Sequence, residues 1–377
     1  MINNPFVTNG YAGPEYFCDR VEETATLMRM LTNENNIALI SPRRLGKTDL
    51  LRHLFGQPEI KKNYHTFIID IYATKSLQDF VGVLGKAILE ELKGKGRTVW
   101  ETFLNAVMSI RSEVTFDING NPVWGAGLGS LQSPTTTLDE IFRYLAQADR
   151  RCLVAIDEFQ QIAHYEGADN VEAALRTYIQ RCPNANFVFS GSHRHLMGEI
   201  FTSPARPFYQ SVTLFNLKPI SLEKYTEFVT EKFEQAGKHI APGVVEDIYQ
   251  RFGGVTSYMQ KVMNWMFQVT DRGGRCTAED IDQAIGYILD ISADTYEGML
   301  YQMPEKQRNV FLAIARDREA KSISGGNFAK RHRLQSPSAV VAAVKGLLEK
   351  DFITQDRGTY RIYDQFFQLW LERDVLK

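Results

Sequence analysis

Cysteine is scarce in this 377-residue chain: Cys18, Cys152, Cys182 and Cys276 stand far apart, with no paired spacing. A disulfide framework and a cysteine-built metal site are therefore excluded, and a reducing compartment fits best. Long apolar runs are missing as well, since none approaches the roughly 20 residues that cross a bilayer. The opening stretch, MINNPFVTNGYAGPEYF, lacks the basic region and apolar core of a signal peptide. A cytoplasmic protein that does not engage membranes is expected. Internal repeats and low-complexity tracts are absent. Net charge is small, formally −2 at pH 7, which argues against a surface coated all over for nucleic acid. What the chain does have is core material. Hydrophobic residues make up 44% and charged residues 23%, ordinary globular values, and the length suits two or three modules.

Three short apolar or β-branched runs punctuate the first half, Ile37–Ile40, Thr66–Tyr72 and Cys152–Phe159, and a fourth, Asn186–Ser192, follows. Continuous runs of this kind predict strands buried on both faces of a parallel sheet. Helical patterns lie between them, for instance over 76–92 and 171–181, so the expected class is α/β. Between the second and third strands, residues 111–133 alternate around Asn119-Gly120, a strong hairpin-turn signal, and run into a glycine-rich tail. This predicts an inserted hairpin in a sheet domain spanning 1–216. From Leu217 the pattern turns to helix after helix, which predicts a helical domain over 217–295. The remainder, 296–377, is helical and then carries two strand-like runs around Asp356-Arg357-Gly358, the order of a winged helix.

The segment NNIALISPRRLGKTDLLRHLF holds the first chemistry. A strand ends at Ile40, and Gly46-Lys47-Thr48 opens an amphipathic helix. This is the second half of the P-loop pattern G-x-x-x-x-G-K-[ST], with Ser41 in place of the first glycine. Loop and first-turn N–H groups must converge on phosphate oxygens, helped by the helix dipole. Gly46 lets the backbone approach, Lys47 reaches the β/γ-phosphates, and the Thr48 hydroxyl ligates Mg²⁺. Arg43, Arg44, Leu45 and Asp49 complete the nucleotide-binding stretch. An ordinary strand–turn–helix connection is the alternative. The run CLVAIDEF weakens it, because acidic residues at the end of a buried strand have no packing reason to be there. Asp157 is the expected Mg²⁺ partner and Glu158 the expected catalytic base. The ligands implied are ATP or ADP with Mg²⁺, and the reaction is hydrolysis of ATP to ADP and phosphate.

With these motifs the sequence resembles the archaeal-type ATPase family, AAA+-like STAND P-loop proteins. NPF near the start, YFCDRVEE, SPRRLGKTDLL, LVAIDEFQ, FVFSGSHRHLM and FGGVTSYMQ come in that family's order. The resemblance implies a P-loop NTPase parallel sheet flanked by helices, followed by a helical lid and a winged-helix domain. It also implies that Ser190 or Ser192 sits beside the γ-phosphate as a polar sensor. Three segments depart from the family pattern. Cys18-Asp19-Arg20 replaces GRE, Gly253-Gly254-Val255-Thr256 lacks the proline of GGxP, and Pro207-Phe208-Tyr209-Gln210-Ser211 lacks the arginine of PLYGR. Arg206 lies close to the last of these. The source of an arginine finger is thus unassigned, and slow hydrolysis is expected.

From Tyr301 onward there are 14 Lys and Arg against 9 Asp and Glu, whereas the rest of the chain holds 29 against 36. Such asymmetry suits a nucleic-acid module on an otherwise neutral enzyme. Ala329–Arg333, Arg357 and Arg361 are the groups that would meet phosphates. The helix opened by Ser336 as its cap and Pro337 in its first turn is almost entirely small and apolar, so it offers little to read base edges. Two functional classes follow. One is a nucleotide-driven conformational switch acting on a protein partner; the other is a DNA-associated ATPase. The sequence leaves the oligomeric state open.

Overall fold

The computed structural model of the chain describes residues 4–124, 133–192 and 194–376. It divides into two compact units, Asn9–Lys224 and Tyr225–Lys377 with Met1–Thr8.

In the first unit the elements run α1 (Val21–Thr32), β1 (Ile37–Ile40), α2 (Lys47–Phe55), α3 (Pro58–Asn63), β2 (Tyr64–Asp70), α4 (Leu77–Lys93) and α5 (Arg97–Ala106). They continue with β3 (Val114–Phe116), β4 (Pro122–Trp124), α6 (Pro134–Gln147), β5 (Arg151–Asp157), α7 (Ala168–Gln180), β6 (Ala185–Gly191), α8 (Arg194–Thr202) and β7 (Thr213–Asn216). The main sheet is parallel, in the order β2-β5-β6-β1-β7. Strand alternation gives it two apolar faces. Ala38, Ile40, Phe67, Ile69, Val154, Ile156, Phe187 and Phe189 join one core with residues of α4 to α8. Ile37, Leu39, Leu153, Ala155 and Val188 alternate with them and are buried too, as are Leu27 and Leu31 of α1 and Leu50 and Leu54 of α2.

Two strand expectations need correction. β2 is an edge strand, not one buried on both faces, and its burial alternates residue by residue. Its continuous Phe67-Ile68-Ile69 run concealed this, because an edge strand covered on one side needs apolar residues only at every second position. β7, with four residues of alternating burial at the other edge, was not foreseen at all. The β3–β4 hairpin pairs antiparallel around Gly120, which takes the left-handed φ of 75°. The glycine-rich tail expected after it, from Gly125 on, lies outside the described residues.

The second unit contains most of α9 (Leu222–Gln235), then β8 (His239–Ile240), α10 (Val244–Phe252), α11 (Thr256–Val269), β9 (Arg275–Cys276), α12 (Ala278–Gln302) and α13 (Glu305–Asp317). It ends with β10 (Ala320–Lys321), α14 (Gly326–Arg331), α15 (Pro337–Glu349), β11 (Ile353–Asp356), β12 (Thr359–Ile362) and α16 (Gln365–Trp370). Ser336 caps α15 by accepting from the Ala339 N–H, and Pro337 stands in its first turn. β11 and β12 form the wing, turning through Arg357 and Gly358 at φ 46° and 79°. Two successive left-handed residues are what a two-residue type I′ hairpin turn requires. Phe6 inserts between the rings of Phe228, Phe233 and Phe267, at centroid distances of 5.6–5.9 Å. The amides of Asn4 and Asn264 fix it there, donating respectively to the Asn264 and Phe6 carbonyls, each at 2.7 Å.

Candidate active site

In an open parallel sheet, ligands are taken up beyond the carboxyl ends of the strands. β1, β5 and β6 are neighbours, so the loops leaving them share one edge of the sheet. The loop after β1 leaves through Ser41, which is fully buried and donates its N–H to the Gly191 carbonyl at the end of β6. Arg44 and Gly46 then adopt left-handed conformations, φ 69° and 81°. Gly46 caps α2, and the first intrahelical bond runs from the Leu50 N–H to the Gly46 carbonyl at 2.9 Å. The N–H groups of Lys47, Thr48 and Asp49 precede that bond and have no carbonyl of the helix to meet. They form an anion-seeking helix start.

Lys47 is buried at 5% exposure, with Nζ 3.4 Å from the Ser41 carbonyl. Burial lowers the pKa of its ammonium, opposed by the carboxylates of Glu158 and Asp157 and reinforced by Arg43. Thr48 donates its hydroxyl to Asp157 Oδ2, and Ser190 of β6 donates to Oδ1. Asp157 also accepts the Glu158 N–H at 3.0 Å, so the buried carboxylate is held by three donors. Glu158 follows at φ 55°, a left-handed position that a β-branched or bulky residue resists. Its Oε2 accepts from Ser192 Oγ at 2.8 Å and from the Gln160 amide. Arg43 Nε reaches Ser192 Oγ at 3.1 Å, and its guanidinium lies 5.7 Å from the centre of the Tyr72 ring.

Thus Arg43, Lys47, Thr48, Asp157, Glu158, Ser190 and Ser192 meet in one network. Asp49 turns its carboxylate toward Arg52 on its own helix, 3.6 Å away, and burial raises its pKa. Leu45 is buried, and its carbonyl accepts from Arg20 Nη2 at 3.4 Å. Arg20 itself is 2% exposed and also reaches the Lys218 carbonyl at 2.7 Å. Arg20 therefore ties the loop backbone to the chain leaving the sheet. Arg206 is committed elsewhere: its guanidinium pairs with Asp169 and Glu172 of α7.

Three participants escaped the sequence reading. Asp70 ends β2 directly opposite Asp157 in register, and its pKa is raised by burial and by the charges of Asp157 and Glu158. Its strand-end position was the available signal. Gln160 gave none, because its contact depends on a tight turn, and the Cys18-Asp19-Arg20 segment did not disclose the partners of Arg20, which are distant in sequence.

The oxygen donors suit Mg²⁺, which prefers carboxylate, hydroxyl and water ligands. Thr48 Oγ1 and Asp157 Oδ2 already face each other at the start of α2. Among the described residues no group of three or more His, Cys, Asp and Glu side chains is placed to hold a metal ion.

Residues 17–262 match the model of an ATPase domain found predominantly in Archaea, and residues 294–373 match that of a winged helix domain. No curated protein matches the chain. Among solved structures it is similar to a Walker-type ATPase of Pyrococcus abyssi, with 17% identity and TM-score 0.66 over 98% of this chain and 99% of that one. It is also similar to the Orc1 protein of Aeropyrum pernix in complex with DNA, at 13% identity and TM-score 0.56 over 99% and 97%. The Orc2 protein of the same organism, with ADPNP and ADP, matches at 12% and 0.57 over 99% and 98%. Identities this low establish a shared fold: a P-loop ATPase sheet with a C-terminal winged helix.

Proposed function

This chain belongs to the family of ATPase domains found predominantly in Archaea, and from that premise we propose that it is a Mg²⁺-dependent ATPase. In this proposal it is a nucleotide-driven switch of the AAA+-like STAND kind that acts on a protein partner in the cytoplasm. The observation that carries it is the convergence of Lys47, Thr48, Asp157 and Glu158 on one strand edge. Lys47 and the free N–H groups of α2 bind the ATP phosphates. Thr48 and Asp157 would hold Mg²⁺, which would offset negative charge on the phosphates. Glu158 orients the attacking water and takes its proton. Ser192, joined to both Arg43 and Glu158, is the group best placed to sense the γ-phosphate. Arg44 flanks the same loop. The four cysteines, all buried and none joined in a disulfide, suit a reducing cytoplasm.

A ligand shifts a conformation only through contacts that differ between two states. In this mechanism the γ-phosphate supplies that difference, and ATP but not ADP alters protection across residues 303–364. Hydrogen exchange on the apo protein, the ADP complex and the complex with a non-hydrolysable ATP analogue tests this. Identical protection in all three states refutes the switch.

DNA association is a second possible function, favoured by the basic balance of the last segment and by the similarity to the Orc1 protein solved with DNA. The charges tell partly against it. Arg331 pairs with Asp317, Arg361 with Glu319, and Arg318 with Glu372. Lys330, Arg333 and Arg357, which have no carboxylate partner within 4 Å among the described residues, remain for phosphates. Three such contacts give a log K against log salt slope of about −3. A salt series on a duplex separates the two functions: a slope near zero leaves the protein-partner switch.

A further inference from the structure

The base proposed for hydrolysis does not stand alone. Both donors to Glu158, the Ser192 hydroxyl and the Gln160 amide, fall on the same oxygen, Oε2. A carboxylate oxygen that accepts two hydrogen bonds has its lone pairs occupied. The other oxygen, Oε1, is then the one presented to a water. Glu158 needs such fixing, since a glutamate has three side-chain torsions to order, and a base must be held within hydrogen-bond reach of its proton.

Gln160 is seated for this and for little else. It is 4% exposed, and its own Oε1 has no hydrogen-bond partner among the described residues. A buried acceptor left unpaired costs stability and calls for an explanation. Gly191, which ends β6, explains how the seat exists. A Cβ at that position would collide with Gln160 Oε1 and with the Met197 side chain. The missing side chain at Gly191 admits the glutamine, and the glutamine amide then reaches back to Glu158 across the left-handed turn at φ 55°.

We propose that Gln160 is a positioning residue for hydrolysis, clamping Glu158 together with Ser192 so that Oε1 faces the attacking water. This rests on Glu158 being the base. The clamp is tested by steady-state hydrolysis of Mg-ATP with the full chain, comparing wild type, Gln160→Met, Glu158→Gln and the double variant. Methionine keeps the length of glutamine and removes the donor. The expected result is a kcat about 10- to 100-fold lower in Gln160→Met, the scale of a misplaced catalytic group, with KM within threefold. In the Glu158→Gln background the same change should have no further effect, whereas a merely structural loss would lower the residual rate again. Gly191→Ala, which displaces Gln160 without altering its amide, should reproduce the kcat loss and serves if Gln160→Met does not fold. Turnover cut at least 100-fold by Glu158→Gln but kept within twofold by Gln160→Met and by Gly191→Ala overturns this inference alone. Turnover that survives Glu158→Gln, or none in the wild type, overturns the assignment of the base together with it.

Discussion

Replacing Lys47 with alanine is the sharpest perturbation of the proposed nucleotide site. The ammonium has three N–H donors, and the structure directs one of them, at a long 3.4 Å, to the Ser41 carbonyl. Two remain for phosphate oxygens. A hydrogen bond to a charged group contributes about 1.5–3 kcal/mol. Lys47 is buried, so its bonds fall in the upper part of that range, partly offset by the charge it already shares with Asp157 and Glu158. The balance is about 3–4 kcal/mol, or two to three decades in Kd. Isothermal titration with ATP and Mg²⁺ reads it directly. A thermal melt gives a second readout, because ligand at 100 times its Kd stabilises the wild type by about 2.7 kcal/mol and should leave Lys47→Ala nearly unmoved. The melt without nucleotide serves as the folding control. A folded Lys47→Ala protein that binds ATP within threefold of wild type refutes the phosphate assignment.

Glu158→Gln is expected to keep ATP affinity within a few-fold and to lose turnover, because a water-orienting base acts in the transition state; single-turnover hydrolysis beside titration checks both halves. Glu172 gives a pH prediction. It is fully buried, and burial outweighs the adjacent Arg206, raising its carboxyl to about 7 from an ordinary 4.5. The folded state therefore favours the protonated acid, so the penalty of ionisation is absent below pH 4.5 and complete above pH 7, at most about 3 kcal/mol. Relative to Glu172→Gln, the wild type should lose that much stability between pH 4.5 and 7.5 in urea titrations, and parallel curves would contradict it. Phe6→Ala should destabilise its unit by about 3–5 kcal/mol, as removal of a buried aromatic does. A loss below about 1 kcal/mol on denaturation would mean that the ring is not an anchor.

Local chemistry was legible in the sequence because it is carried by adjacent residues. Gly46-Lys47-Thr48 is a backbone conformation, a charge and a hydroxyl in consecutive positions. Asp157-Glu158 announces itself by interrupting an apolar strand. The wing at Arg357-Gly358 and the cap at Ser336 follow from turn and cap preferences within four residues. What the sequence could not supply was every feature that depends on which distant segments meet. Whether β2 is central or at the edge is decided by strand order, and a run such as Phe67-Ile68-Ile69 reads alike in either place. Phe6 and Asn264 are separated by 258 positions, and only the packed helices bring them together. Arg206 lies close in sequence to the segment lacking the family's arginine, but its pairing with Asp169 and Glu172 of α7 is decided by packing. The sequence by itself determined the side chains of the proposed site, since these are fixed by residue type and short spacing. Tertiary structure alone decided their orientation: Ser190 on Asp157, Ser192 and Gln160 on Glu158, and Arg20 on the loop backbone are contacts made by side chains whose positions are set by the packing of the sheet.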